Sequence, residues 1–196
     1  MRFFNKLAWV SSFLLLVLAP TVSYAGEPTV QLSATVNELV TILVNTPVSE
    51  LRAHGLPDKA LQLVNDRFDF SELTRQTLGR HWSALSPAEQ REFVDALTQK
   101  LLVAYGRSVR ASGDEKVEFK GEEQKGDLAN VETKVVSSNG ELAIDYRLHL
   151  VNGQWKVYDM VIDQVSIVNN YRAQFDRVIA KSSVQDLLQK IKQPAS

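Results

Sequence analysis

The chain has no cysteine in its 196 residues, only three histidines and almost no net charge. Without cysteine there are no disulfides, no thiolate metal sites and no lipidated N-terminal cysteine, so the fold must rest on its hydrophobic core. His54, His81 and His149 are too scattered to form a local ligand pair. Catalytic signatures are missing as well. There is no G-x-S-x-G, and Gly126 is followed by Asp127 where a phosphate-binding loop needs lysine. No internal repeat, low-complexity tract or long linker interrupts the chain. Twenty-two basic residues against 23 acidic ones give no electrostatic reason to bind nucleic acid or an anionic membrane surface.

The one long apolar run lies at residues 7–19. Arg2 and Lys6 precede it, Pro20 and Thr21 end it, and Ser23-Tyr24-Ala25 puts small residues where a signal peptidase reads. The run is shorter than the ~20 residues needed to span a bilayer. Residues 1–25 therefore read as a cleaved secretory signal peptide. Its two basic residues leave with it, so residues 26–196 carry a charge of −3. They are long enough for a single domain, and a bacterial periplasm is the simplest compartment.

Within that domain the hydrophobic period is first helical and then alternating. Leu32, Val36, Leu39, Val40 and Leu43 follow helical spacing up to Pro47, and Pro57-Asp58 opens a second helix. A short helix is predicted from Asp69 or Ser71 to Gly79, which suits a left-handed end. The strongest helix signal follows, with Ser86, Pro87 and Glu89 forming a capping box ahead of Phe93, Leu97, Leu101 and Tyr105. The helical part spans residues 30–111. At residues 112–114 the pattern changes, and four strands are predicted over residues 116–162, with Asn139-Gly140 and Asn152-Gly153 as tight turns. Helices over 165–192 close the chain. This order gives an α+β fold.

The last strand, 154–162, is unusual. Trp155 and Val157 have one parity, while Tyr158, Met160 and Ile162 have the other, so both faces of the strand are expected to need an apolar environment. In the third strand Leu142, Ile144, Tyr146, Leu148 and Leu150 share one face, which the Phe93–Tyr105 helix is expected to cover. That pattern fits a filled core, the commoner case, or a lined cavity, and composition does not separate them. Asp145 or Asp159 beside a tyrosine would suit an enzyme acting in an apolar cavity. A module docking a partner through an apolar surface is a third reading.

Two segments carry a family resemblance: "FDFSELTRQTLGRHWSALSPAEQREFVDALTQKLLVAYG" at 68–106 and "WKVYDMVIDQVSIVNNYRAQFDRVI" at 155–179. In order along the chain come Phe68-Asp69-Phe70, Leu78-Gly79, Trp82 and Ser86-Pro87, then Trp155, Tyr158-Asp159, Val165-Ser166, Asn170-Tyr171-Arg172 and Phe175. The ordered set resembles the MlaC family of periplasmic phospholipid-binding proteins, the toluene-tolerance type. The resemblance implies a helical half packed on a twisted four-stranded antiparallel sheet, similar to an NTF2-like cone, around an apolar pocket that holds the acyl chains of a glycerophospholipid with the headgroup outside. It implies no catalytic residue, no metal and no cofactor beyond phospholipid as cargo. Its implied partners are an inner-membrane ABC transporter complex with an MCE-domain protein, and an outer-membrane lipoprotein with a porin.

On that reading the lipid-binding residues are expected to be Leu101 and Tyr105 from the long helix, and Val131, Ile144, Tyr146 and Leu148 from the sheet. Tyr158, Met160 and Val165 complete the set, with one face of the last strand in the core and the other against lipid. Trp155 and Val157 are the alternative lipid face. Arg172 and Lys156 are candidate headgroup or rim residues.

Overall fold

The computed structural model describes residues 27–106 and 115–193. The expected signal peptide, the last turn expected of the long helix and the break at 112–114 lie outside the described residues. Helices α1 (Glu27–Val44), α2 (Val48–His54), α3 (Asp58–Arg67), α4 (Phe70–Leu78) and α5 (Pro87–Gly106) come first. The strands follow: β1 (Lys116–Lys125), β2 (Leu128–Ser137), β3 (Gly140–Val151), β4 (Gln154–Ile162) and β5 (Val165–Ser166). Helices α6 (Ile167–Lys181) and α7 (Val184–Lys192) end the described chain. The α+β class stands, with one correction. Among the described residues the antiparallel sheet has five strands in sequential order, because Val165 and Ser166 pair with Ile162 and Val161 before α6 begins.

Local chemistry sets most of the boundaries. Asp69 Oδ1 accepts the Glu72 amide at 2.8 Å and caps α4, whose end is turned by Gly79 at φ 53°. Ser86 and Glu89 exchange the two hydrogen bonds of a capping box ahead of α5. Two further elements escaped the sequence reading. Helix α2 has only seven residues, and a 3-10 turn at Gly79–Ala84 follows α4; both are too short for a hydrophobic period to register.

The parity conflict in β4 has a simple resolution. Arg147 pairs with Asp159 and Leu148 with Val157, so Tyr158 is one extra residue on β4. This β-bulge flips the alternation. Trp155 and Val157 before it, and Met160 and Ile162 after it, therefore point to the same inner face. The strand has one apolar face, not two. A second bulge, at Lys120 in β1, turns Glu122 inward, where its carboxylate accepts the amide (2.9 Å) and hydroxyl of Thr29 at the start of α1.

The interior consists of two cores. In one, α4, α5, α6 and α7 bury Leu73, Leu78, Phe93, Leu97, Val168 and Phe175. In the other, Leu32 and Val36 of α1 lie on Val131, Leu148, Trp155 and Val157 of the sheet. The expectation that α5 covers the sheet is therefore corrected: α1 covers its far half. Asp69 joins helices to sheet, since its amide donates to the Val157 carbonyl (2.8 Å) and its Oδ2 meets His149 Nε2 (3.1 Å). Asp69→Ala should therefore cost about 1–2 kcal/mol. A urea titration checks this, and an unshifted midpoint at constant slope would refute the role.

Candidate functional site

Between the two cores lies a cavity of about 600 Å³, within the ~300–1,000 Å³ typical of ligand pockets. It exists because the cores do not merge. Among the described residues, Met160 is the one side chain packed against both. The roof is the middle and end of α1, with Leu39, Val40 and Leu43, and the last turn of α5, with Leu101, Leu102 and Tyr105. The floor is the inner face of the sheet near the β2–β3 turn, with Leu142, Ile144, Tyr146 and Ile162. Phe68 and Phe70, stacked with ring centroids 5.4 Å apart, form part of the wall between α3 and α4. Burial pushes the Tyr146 hydroxyl up to about 12, so the phenol is neutral at any ordinary pH. The charged side chains lining the cavity, among the described residues, are Glu115 and Glu141 at the β2–β3 end and Arg67.

The predicted site residues divide sharply. Leu101, Tyr105, Ile144, Tyr146 and Met160 line the cavity. Val131 and Leu148 have inward parity but are sealed beneath α1 in the second core. Tyr158, the bulge residue, stands edge-on to His149 with centroids 5.5 Å apart, outside the cavity lining. Val165 is 56% exposed and off the cavity wall. Trp155 and Val157, the alternative lipid face, are core residues. Alternation identified the inward face of β2 and β3 but not of the bulged β4, and the helix above each residue decides between core and cavity.

The rim candidates also divide. Arg172 directs Nε (2.7 Å) and Nη2 at the Gln76 carbonyl, which ties α6 to α4. Lys156 bonds the Asp66 carbonyl beside a polar recess formed with Gln31, Arg67 and Gln154. The two candidate bases do not face the cavity. Asp145 pairs with Glu132 and Val161 on the outer face. Asp159 is 1% exposed, and its oxygens accept from Arg147 Nη1 (3.0 Å), Ser166 Oγ (2.7 Å) and the Val168 amide (3.0 Å).

The sequence reading missed the contributions of α1 and of Arg67. The apolar stripe of α1 was visible as a helical face, but nothing in it marked a cavity roof rather than core. Arg67 carried no signal, being one basic residue at the end of an ordinary amphipathic helix.

Helices over an antiparallel sheet, parted by an apolar cavity, define an α+β protein with an interior apolar pocket. Residues 33–193 match the family model described as MlaC protein, and the chain belongs to that family. It is 24% identical over 127 residues to the intermembrane phospholipid transport system binding protein MlaC of Haemophilus influenzae. That match spans 62% of this chain and 59% of the relative, less than two thirds of its length. Among solved structures, the phospholipid-binding protein from Ralstonia solanacearum in complex with a phospholipid superposes with a TM-score of 0.75 at 27% identity. The superposition covers 84% of this chain and 94% of that one. No helix among the described residues is long and apolar enough to cross a membrane.

Proposed function

We propose that this protein is a carrier of glycerophospholipid that holds the acyl chains in the cavity and works without catalysis. The cavity carries this reading: a volume of about 600 Å³ walled almost entirely by aliphatic and aromatic side chains. Membership of the MlaC family supports it, as do the names of the Haemophilus and Ralstonia relatives. The lipid contacts proposed are Leu101, Tyr105, Ile144, Tyr146 and Met160, joined by Leu39, Val40 and Leu43 of α1. Met160 suits chains of varied length because its unbranched side chain repacks readily.

Energetics explain why a carrier is needed. A buried methylene contributes about 0.8 kcal/mol, so exposing a chain of roughly 15 methylenes costs about 12 kcal/mol. Escape through water is correspondingly rare, since about 1.4 kcal/mol is a factor of ten. Loading and release therefore proceed by docking onto membrane-anchored partners. On the family reading these are an inner-membrane ABC transporter complex with an MCE-domain protein and an outer-membrane lipoprotein with a porin. Residues 1–25 act as the export signal, residues 26–196 form the lipid-binding domain, and the compartment is the periplasm.

Native mass spectrometry of protein purified from cells tests the carrier reading, with phospholipid expected at near-stoichiometric ratio. Lipid-free protein would sink it. Fluorescent-lipid transfer to liposomes, with and without the reconstituted transporter complex, tests the partner step. Transfer should be much faster with the complex, and equal rates would show that docking is not required.

A further inference from the structure

Arg67 occupies an unusual position, lining both the apolar cavity and the polar recess of Gln31, Asp66, Gln154 and Lys156. Its guanidinium is held from three sides. Nε donates to Thr35 Oγ1 (3.0 Å), and Nη1 donates to Gln31 Oε1 (3.2 Å) and to the Trp155 carbonyl (2.6 Å). All three acceptors are neutral. No carboxylate lies within ion-pair distance among the described residues, and Asp66 acts on it only from further away. The two Nη2 hydrogens have no partner among the described residues and stay open to an incoming acceptor, although guanidinium is a five-donor group. Burial lowers its pKa, the direction expected for a cation removed from water without a counterion. A partly buried charge of this kind is costly unless an anion meets it.

The two ends of the cavity differ in sign. Trp155 pairs with Leu150, at the end of the sheet away from the β2–β3 turn, so Arg67 lies about 26 Å along β3 from Leu142, at ~3.3 Å per residue. At the β2–β3 end the charged groups lining the cavity are Glu115 and Glu141. Glu141 is already paired with Lys134 at 2.7 Å. An oxyanion is disfavoured among those carboxylates, whereas the recess beside Arg67 sets two cations, Arg67 and Lys156, against the single carboxylate of Asp66 among the described residues.

We propose that Arg67, with Gln31 and Lys156, forms an oxyanion subsite at the Trp155 end of the cavity, and that the phosphate of the bound lipid sits there with its chains running toward Leu101 and Leu142. The inference rests on the carrier reading and adds the orientation of the cargo to it. Recognition of this kind is charge-assisted, with the fork of Nη2 hydrogens donating to phosphate oxygens. It does not distinguish among the groups esterified beyond the phosphate.

The decisive variant is Gln31→Glu. It preserves shape and the oxygen that accepts from Arg67 Nη1 and from the Trp155 amide (2.9 Å), but it supplies an internal carboxylate in place of the ligand's. The experiment titrates delipidated full-length mature protein with dioctanoyl phosphatidylglycerol and, separately, with dioctanoylglycerol, which has the same chains and no phosphate. Wild type should bind the phosphate-bearing lipid at least about tenfold tighter. In Gln31→Glu, and in Arg67→Gln where that variant folds, the ratio should fall toward one. A Gln31→Glu protein with raised Tm and an unchanged ratio would make Arg67 a structural clamp and overturn the inference. Inorganic phosphate serves as a competitor. If it binds wild type while the two lipids bind alike, the site recognises free phosphate and the assignment to lipid is wrong. Equal binding of both lipids leaves the carrier standing without this subsite, whereas binding of neither removes the carrier and this inference with it.

Discussion

Tyr146→Glu should strip the purified protein of its phospholipid, from near-stoichiometric to almost none, while the fold persists. Tyr146 lies on the cavity floor in register with Val131 on one side and Met160 on the other. The site already disfavours an anion strongly enough to push the tyrosine hydroxyl up to about 12. A carboxylate there either loses its hydration, at a cost of several kcal/mol, or draws water in among the chains. Either outcome removes much of the ~0.8 kcal/mol per methylene that retains the lipid. Glutamate pKa rises on burial, so the group becomes neutral as the pH falls and lipid retention should partly return in acid. Val165→Glu is the control. That residue is 56% exposed and lies off the cavity wall, so its lipid should remain. Native mass spectrometry with circular dichroism on the same samples reads both. A folded Tyr146→Glu protein carrying lipid at the wild-type ratio would move the binding site elsewhere.

Asp159→Ala should be the most destabilising single truncation outside the apolar cores, at about 3 kcal/mol. The side chain is buried and receives three hydrogen bonds, from Arg147, Ser166 and the Val168 amide near the start of α6. Removing it leaves the Ser166 hydroxyl and the Val168 amide without an acceptor. Arg147, whose side chain is 42% exposed, can regain water, which keeps the loss below the upper end for a buried pair. Asp159→Asn should lie between, because it keeps the volume and one acceptor oxygen. Urea midpoints measure the series, and lipid content of the folded fraction should stay constant across it. An unshifted midpoint together with a lost turnover on some lipid substrate would instead return Asp159 to the role of an acid–base group.

The features legible in the sequence were those decided within a few residues. The bounds of β2 and β4, the capping box at Ser86 and Glu89, the turn at Asn152-Gly153 and the cap of α4 at Asp69 depend on local hydrogen bonding and steric preference. So does the inward parity of Ile144 and Tyr146, since side chains alternate strictly along a regular strand. The bulge at Tyr158 depends on how β4 aligns with β3. Alternation alone therefore read as two apolar faces where the chain has one. The separation of core from cavity was equally out of reach. Val131 and Tyr146 are directly paired on one face, yet α1 seals the first while the gap between two cores opens over the second. Arg67 gains its meaning from Thr35, Gln31 and Trp155, the last 88 residues away. The sequence by itself determined which residues are apolar, where the locally capped helices and the regular strands begin, and that the sheet has a face to bury. Only the tertiary structure decided where that burial was left incomplete, because a cavity is space bounded by elements whose separation no local interaction sets.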